Sequence, residues 1–200
     1  TKFITLDRNS DFAIGSTQGV IVSDTNGSLS KSADLTPLGI YAESAGTTVQ
    51  NTNVGTSIIG TVAGSTTLPA NFFAPGKTIR IFASGTYQQT SGSNTCTLLL
   101  TIGGVSMGSI ALNHGNSVGP IYWEAEWNLT CRTSGASGTV QYTSKGILNT
   151  PSITFYYNSA ATSGSINTTT SNAMSISATW STANTSNILV TSIHYANYIN

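Results

Sequence analysis

Gly104-Val105-Ser106-Met107-Gly108 spells the G-x-S-x-G of a hydrolase nucleophile elbow, and Glu124 or Glu126 and then His194 follow in the order serine, acid, histidine. That chemistry needs a strand before the serine and a helix directly after it, whose backbone N–H groups face an oxyanion. Here the serine follows a Gly-Gly turn inside a strand-like segment that runs on into Asn113-His114-Gly115-Asn116. No helix can start there, and a chain this rich in Gly and Ser produces such matches by chance. The sequence predicts no triad. Glu124 and Glu126 lie two apart on one strand, so their side chains share a face with Cα atoms about 6.5–7 Å apart. A carboxylate pair at that spacing suits glycoside hydrolysis. Screening by Arg132, Lys145 or a neighbouring subunit is the simpler expectation. The chain is read as non-enzymatic, with no catalytic, cofactor-binding or metal-binding residues.

The remaining chemistry is sparse. His114 and His194 stand eighty residues apart with no ligand spacing around either. Asp24-Thr25-Asn26-Gly27 has too few oxygen ligands for a calcium loop and reads as a hairpin turn. Cys96 and Cys131 fall on the apolar alternation of two strand-like segments and are read as buried free thiols, with a disulfide open only if those strands are neighbours. Sequons at Asn26, Asn128, Asn167 and Asn184 are expected by chance at this density of Ser, Thr and Asn. Adjacent strand residues point to opposite faces, so Tyr156 and Tyr157 cannot both enter one core. An exposed tyrosine can stack on a sugar ring while Asn, Ser and Thr bond its hydroxyls. Tyr156, Tyr157, His114 and Asn116 are therefore the candidate ligand contacts, ordinary packing being the alternative for each.

What must hold these residues in place is β structure. The 200 residues carry seven acids and seven bases, a formal net charge of zero, and only 7% charged residues, against about a quarter in an average protein. That argues against nucleic acid, which needs a basic stripe, and against a polybasic membrane anchor. No apolar run approaches the roughly 18–20 residues of a membrane span, so no membrane insertion is expected, and no signal-peptide pattern stands at Thr1. A start at Thr1 rather than Met points to a fragment or a processed product. Polarity comes instead from 28 Ser, 32 Thr and 17 Asn. Strand-like segments are read at 39–43, 57–62, 78–88, 95–102, 105–112, 121–133, 138–147, 152–156, 173–180 and 187–198. The sharpest pattern runs along 121–133, with Trp123, Ala125, Trp127, Leu129 and Cys131 on one face and Tyr122, Glu124, Glu126, Asn128, Thr130 and Arg132 on the other. Gly103-Gly104 is read as a two-residue hairpin turn. The fold class is all-β, an antiparallel two-sheet β-sandwich of jelly-roll type spanning 36–200. Residues 1–35 hold four of the seven acids and differ in texture. They are read as a short shaft-like β segment that aligns and attaches a head.

Leu68-Pro69-Ala70-Asn71, Gly76-Lys77-Thr78-Ile79-Arg80 and Ala83-Ser84-Gly85 resemble the early strands of a β-sandwich domain found at the ends of phage and large-DNA-virus structural proteins. The segment 98–104, the Trp-containing strand ending in Arg132, Gly135-Ala136-Ser137-Gly138-Thr139-Val140, and Trp180-Ser181-Thr182-Ala183 followed by Asn187 are similar to its later parts. The resemblance runs from about Val49 to the C-terminus. The stretch 19–30 resembles the approach from shaft to head in fibre proteins. The resemblance implies a trimeric jelly-roll head, similar to tumour-necrosis-factor and C1q-type domains, with no catalytic residues to carry over. The expected function is that of a viral structural protein: a homotrimeric fibre head or capsid-surface domain on the virion surface, extracellular when mature. Its expected partners are a host surface receptor, with a glycan as one candidate, and other virion proteins. A carbohydrate-binding module of a secreted protein is the alternative, and a glycan-cleaving spike enzyme the weakest one.

Overall fold

A computed structural model of the chain describes residues 21–23, 29–31, 39–150, 153–159 and 162–199. Every regular element among them is a strand. The chain divides into two compact units, Thr1–Pro37 and Leu38–Asn200. In the first, β1 (Ile21–Ser23) and β2 (Leu29–Lys31) pair antiparallel, with Ile21 opposite Lys31. This is the hairpin expected there. Its turn at Asp24-Thr25-Asn26-Gly27, and Lys2, Asp7, Arg8, Asp11 and Asp34 of the shaft-like segment, lie outside the described residues.

The second unit is a sandwich of two antiparallel sheets. Its strands are β3 (Gly39–Ala45), β4 (Thr47–Gln50), β5 (Thr56–Ser57), β6 (Thr61–Gly64), β7 (Thr67–Leu68), β8 (Thr78–Gln89), β9 (Cys96–Ile102), β10 (Val105–Leu112), β11 (Val118–Thr133), β12 (Gly138–Asn149), β13 (Thr154–Asn158), β14 (Thr162–Ile166), β15 (Asn172–Trp180) and β16 (Ile188–Tyr198). The larger sheet has nine strands in the order β13-β12-β11-β8-β16-β3-β6, with β14 beside β12 and β4 beside β16. The smaller runs β10-β9-β15-β5, with β7 beside β15. Among the passages of the chain from one sheet to the other are those between β8 and β9, β10 and β11, and β15 and β16. These crossings share one end of the sandwich, because Gln89, Val118 and Ile188 are neighbours in one sheet and Cys96, Leu112 and Trp180 in the other. The chain enters at the opposite end, where Gly39 pairs with Asn197.

The alternation in β11 holds. Trp123, Ala125, Trp127, Leu129 and Cys131 are buried between the sheets, and the opposite register faces outward. Leu98 and Leu100 of β9, Ile176 and Ala178 of β15, and Ile79 and Ile81 of β8 complete the interior, each strand supplying alternate residues. Cys96 and Cys131 are free thiols, one in each sheet. Gly103 and Gly104 close the β9–β10 hairpin with φ of 58° and 79°, the double positive φ of a type I′ turn. The expected strand at 57–62 is instead the separate β5 and β6, which lie in different sheets. Strands β4, β7 and β14 were not expected.

Three buried indoles constrain the packing. Trp123 Nε1 donates to Val190 O at 3.0 Å, Trp127 Nε1 to Gly108 O at 3.3 Å, and Trp180 Nε1 to Val49 O at 3.3 Å. Gly85 of β8 lies between the first pair, opposite both Trp123 and Thr191. A Cβ at Gly85 would stand 1.9 Å from Val190 O, a backbone atom that cannot swing away. Gly85→Ala is expected to lower stability by ~1–3 kcal/mol in denaturant unfolding, the ordinary cost of overpacking. Gly119→Ala, with nothing within 4 Å, is expected to leave the midpoint nearly unchanged. Equal midpoints for the two variants would remove the constraint from Gly85.

Candidate functional site

At the crossing end, uncharged amides knit the loops together. Gln89, the last residue of β8, is buried, and its Oε1 accepts the Tyr87 hydroxyl and the His114 backbone N–H, the latter at 3.0 Å. Its Nε2 donates to Ser91 O at 2.6 Å. Asn113 Nδ2 donates to Gly92 O at 2.9 Å and to Thr95 Oγ1 at 3.1 Å. Asn187, also buried, accepts at Oδ1 from the Thr90 N–H (3.1 Å) and Asn94 Nδ2 (3.2 Å), and donates to Thr182 O at 3.0 Å. Loops 90–95, 113–117 and 181–187 are thereby tied into one platform. Buried amides of this kind are stable only when fully partnered.

The four candidate contacts fall on or beside this platform. Tyr157 faces inward, and its hydroxyl donates to Asn113 O while accepting the Asn113 N–H at 3.1 Å. Burial pushes this phenol up, against the weaker pull of the Asn113 backbone bond. Tyr157 is a brace for the loop rather than a free stacking surface. The His114 ring packs edge-on against Phe155, centroids 5.0 Å apart, with Nδ1 3.4 Å from Asn116 O. Asn116 is exposed in the same loop. Tyr156 points outward and is 69% exposed. A groove of about 360 Å³ runs between β10 and β13, with Ser109, Ile110, Tyr156, Tyr157, Asn158 and Ser159 in its lining. Asn113, Gln89 and Phe155 were not singled out in the sequence. They sit in Asn/Ser-rich or mixed segments where nothing marks one amide as buried.

The catalytic candidates are not brought together. Ser106 lies on β10, the edge strand of the smaller sheet. His194 faces the interior from β16, with Nε2 3.0 Å from the Tyr41 hydroxyl and Nδ1 without a partner among the described residues. Both glutamates face outward from β11. Glu124 accepts the Tyr122 hydroxyl at 2.9 Å. Glu126 is nearly buried and ion-paired with Arg80, lies 3.4 Å from Lys145 Nζ, and accepts Asn128 Nδ2 at 2.7 Å. Burial pushes its carboxyl up, but Asn128, Lys145 and Arg80 outweigh this and hold it below the usual carboxylate range. Such a group is a poor general acid. Arg132, expected to share in the screening, is exposed.

Around that ion pair the outer face of the larger sheet is aromatic and aliphatic. Register places Tyr195, Phe82, Glu126 and Lys145 in one row, and Ile193, Ser84, Glu124 and Ile147 in the next. Phe82 and Tyr195 stack at 5.3 Å, and Ile193 and Tyr122 are 53% and 43% exposed. No protein-family model matches the chain, nor does any curated protein or solved structure.

Two outcomes test this geometry. Gln89→Leu removes the acceptor of the His114 N–H and one of the two acceptors of the Tyr87 hydroxyl, the other being Leu112 O at 3.3 Å. It is expected to cost ~1–3 kcal/mol and to speed hydrogen exchange at Asn94 and His114 while the centre of β8 stays protected. Unchanged exchange there would show the platform held by other contacts. The second outcome concerns His194, whose burial lowers its value from 6.5 to about 4. Between those values the unfolded chain takes up a proton that the folded chain refuses. Stability attributable to His194 is therefore complete above pH 6.5 and falls as the pH drops towards 4, with a limiting slope of ~1.4 kcal/mol per unit. Glu126, held low, adds to the acid loss, and Glu43, raised by burial against the nearby Gly60 N–H, opposes it. The readout is accordingly the difference between wild type and His194→Gln in chemical denaturation at stepped pH. Parallel curves would assign the acid sensitivity to the carboxylates.

Proposed function

We propose that this chain is a non-enzymatic head domain of a virion surface protein, a fibre head or capsid-surface domain that forms a homotrimer and attaches to a host surface receptor. The observation that carries the reading is the outer face of the nine-stranded sheet. Phe82, Tyr122, Ile193 and Tyr195 make a patch in which Glu126 is already paired with Arg80 and Lys145, and Glu124 accepts the Tyr122 hydroxyl. A carboxylate already ion-paired and hydrogen-bonded loses less than a lone charge when another subunit covers it, and apolar groups gathered on an exposed face mark interaction sites. The strand order is compatible with the jelly-roll reading, since both sheets are antiparallel, the chain crosses between them repeatedly and the last strand returns between β3 and β8. The threefold count comes from the resemblance to viral head domains. Chain entry at one end and a rigid loop platform at the other suit a head held from below and read from above. Residues 1–37 would then meet the other virion proteins.

Light scattering at micromolar concentration is expected to give three times the chain mass, and Ile193→Lys, which puts a charge into the centre of the patch, is expected to give monomers with unchanged circular dichroism. A monomeric wild type would remove the trimer and favour the second reading, a carbohydrate-binding module, for which the groove beside Tyr156 is the supporting observation.

A further inference from the structure

We infer that the groove between β10 and β13 is a binding site for a neutral oligosaccharide. The inference deepens the attachment reading by naming the ligand class, and it rests on that reading for its biological role only. The lining contains no charged side chain. Lys145, which stands opposite Asn158 in the β12–β13 register, is directed to Glu126 at 3.4 Å. What the groove offers is hydroxyl, amide and ring. Ser109 supplies an exposed hydroxyl, Asn158 an exposed amide with no partner among the described residues, and Tyr156 an exposed ring on the same side of β13 as Asn158. A pyranose presents the complement: equatorial hydroxyls for the first two and an apolar C–H face for the ring. The volume of about 360 Å³ lies at the low end for ligand pockets, as suits one or two sugar units at an open edge.

The walls are fixed before any ligand arrives. Tyr157 is held at both its donor and acceptor positions by Asn113. Ser159 Oγ accepts the Ser144 N–H at 2.9 Å and lies 2.8 Å from Ser144 Oγ. Preorganisation lowers the entropy lost on binding, which matters for a ligand offering few apolar contacts. An extended peptide is the other occupant that two strand edges suggest, and β10 is poorly built for one. Its ladder breaks between Ser106 and Ser109, the Gly108 carbonyl is taken by Trp127 Nε1, and the Ser109 carbonyl lies 3.5 Å from Ser144 Oγ. An added strand would meet an interrupted row of partners.

The test passes the full chain over an array of neutral, sialylated and sulfated oligosaccharides, then titrates the best neutral one by amide NMR. Expected are retention on neutral glycans and shifts concentrated at Ser109, Tyr156 and Asn158. Tyr156→Ala and Asn158→Ala are each expected to weaken binding by about tenfold or more, with unfolding midpoints unchanged. Tyr156→Phe, which keeps the ring, should retain most of the affinity, and Val54→Ala, at an exposed site outside the groove lining, should retain all of it. Retention on acidic glycans alone, no retention at all, binding that survives both alanine variants, or capture of an extended Ser/Thr peptide in preference to sugar would each overturn the inference. Mass measured on the same samples separates it from the reading above. A monomer that binds through Tyr156 keeps the site and loses the trimeric head. A trimer that adheres to host cells equally well as Tyr156→Ala keeps the head and loses the site.

Discussion

Three indole N–H groups are buried in the sandwich, and each must find an acceptor where nearly every backbone carbonyl already belongs to a ladder. The fold meets this demand at irregularities. Val190, the acceptor for Trp123, precedes the register break between Thr191 and Ile193, and Gly108, the acceptor for Trp127, lies within the break between Ser106 and Ser109. Val49, the acceptor for Trp180, belongs to β4, a strand paired on one side only. Two bulges thus have an evident partner: Gly108 accepts from Trp127 across the core, and Val190 accepts from Trp123 within the larger sheet, over Gly85 of the strand between them. The same demand explains Gly85, which leaves space for the Trp123–Val190 bond. Where β3 and β4 part, Gly46 makes a similarly close approach, since a Cβ there would stand 2.2 Å from Thr191 O.

The second organising condition is the near absence of charge. The sandwich unit contains only Glu43, Glu124, Glu126, Lys77, Arg80, Arg132 and Lys145. Loops that other proteins fasten with ion pairs are fastened here by Gln89, Asn113 and Asn187. Neutral hydrogen bonds of this type are not screened by salt and do not titrate, so the loop platform keeps its geometry across conditions that would loosen a charged network. Titration enters instead through His194, Glu43 and Glu126, which lie on β16, β3 and β11 and not in these loops. Lys77 shows the same economy of charge: its ammonium lies 3.9 Å from the Phe72 ring centre and 4.8 Å from that of Tyr198, and burial lowers its value.

The parts of this architecture that could be read from sequence are those where side-chain chemistry alternates strongly. Strand β11 was legible because two tryptophans, a leucine and a cysteine alternate with two glutamates and an asparagine. The β9–β10 hairpin was legible because two glycines in succession select a two-residue turn. Strands β4 and β14 were not, since Thr47-Thr48-Val49-Gln50 and Thr162-Ser163-Gly164-Ser165-Ile166 carry almost no apolar period. Their strand state comes from the ladders of β16 and β12, a tertiary cause that no local pattern reports. The same limit applied to the candidate site. Residue type suggested Tyr156, Tyr157, His114 and Asn116, but only the register of β13 against β12 separates the exposed ring of Tyr156 from the bracing phenol of Tyr157. Among seventeen asparagines, nothing in the sequence marks Asn113 and Asn187 as the ones that tie loops together.

The location of the groove follows from the unequal width of the two sheets. The larger sheet continues past β11 into β12, β13 and β14, while the smaller one ends at β10. The overhanging inner face must still be shielded from water, and β10 is the strand of the smaller sheet that lies against β12, β13 and β14. Glycines on the overhang let it approach. A Cβ at Gly146 would stand 2.5 Å from Ile110 Cγ2, and one at Gly164 would stand 3.1 Å from Met107 Sδ. Closure is complete along β14, where Met107 is buried, and along the core-facing side of β13, where Ile110 and Leu112 are buried. It ends at Asn158 and Ser159, where the chain leaves β12 before β14 takes up the same edge. A seam between two sheets that cannot close fully is lined by whatever the edges present. Here the edges present hydroxyls, an amide and two tyrosine rings on a braced frame, so the mismatch that the overhang imposes on packing also provides the concave surface from which a ligand site can be built.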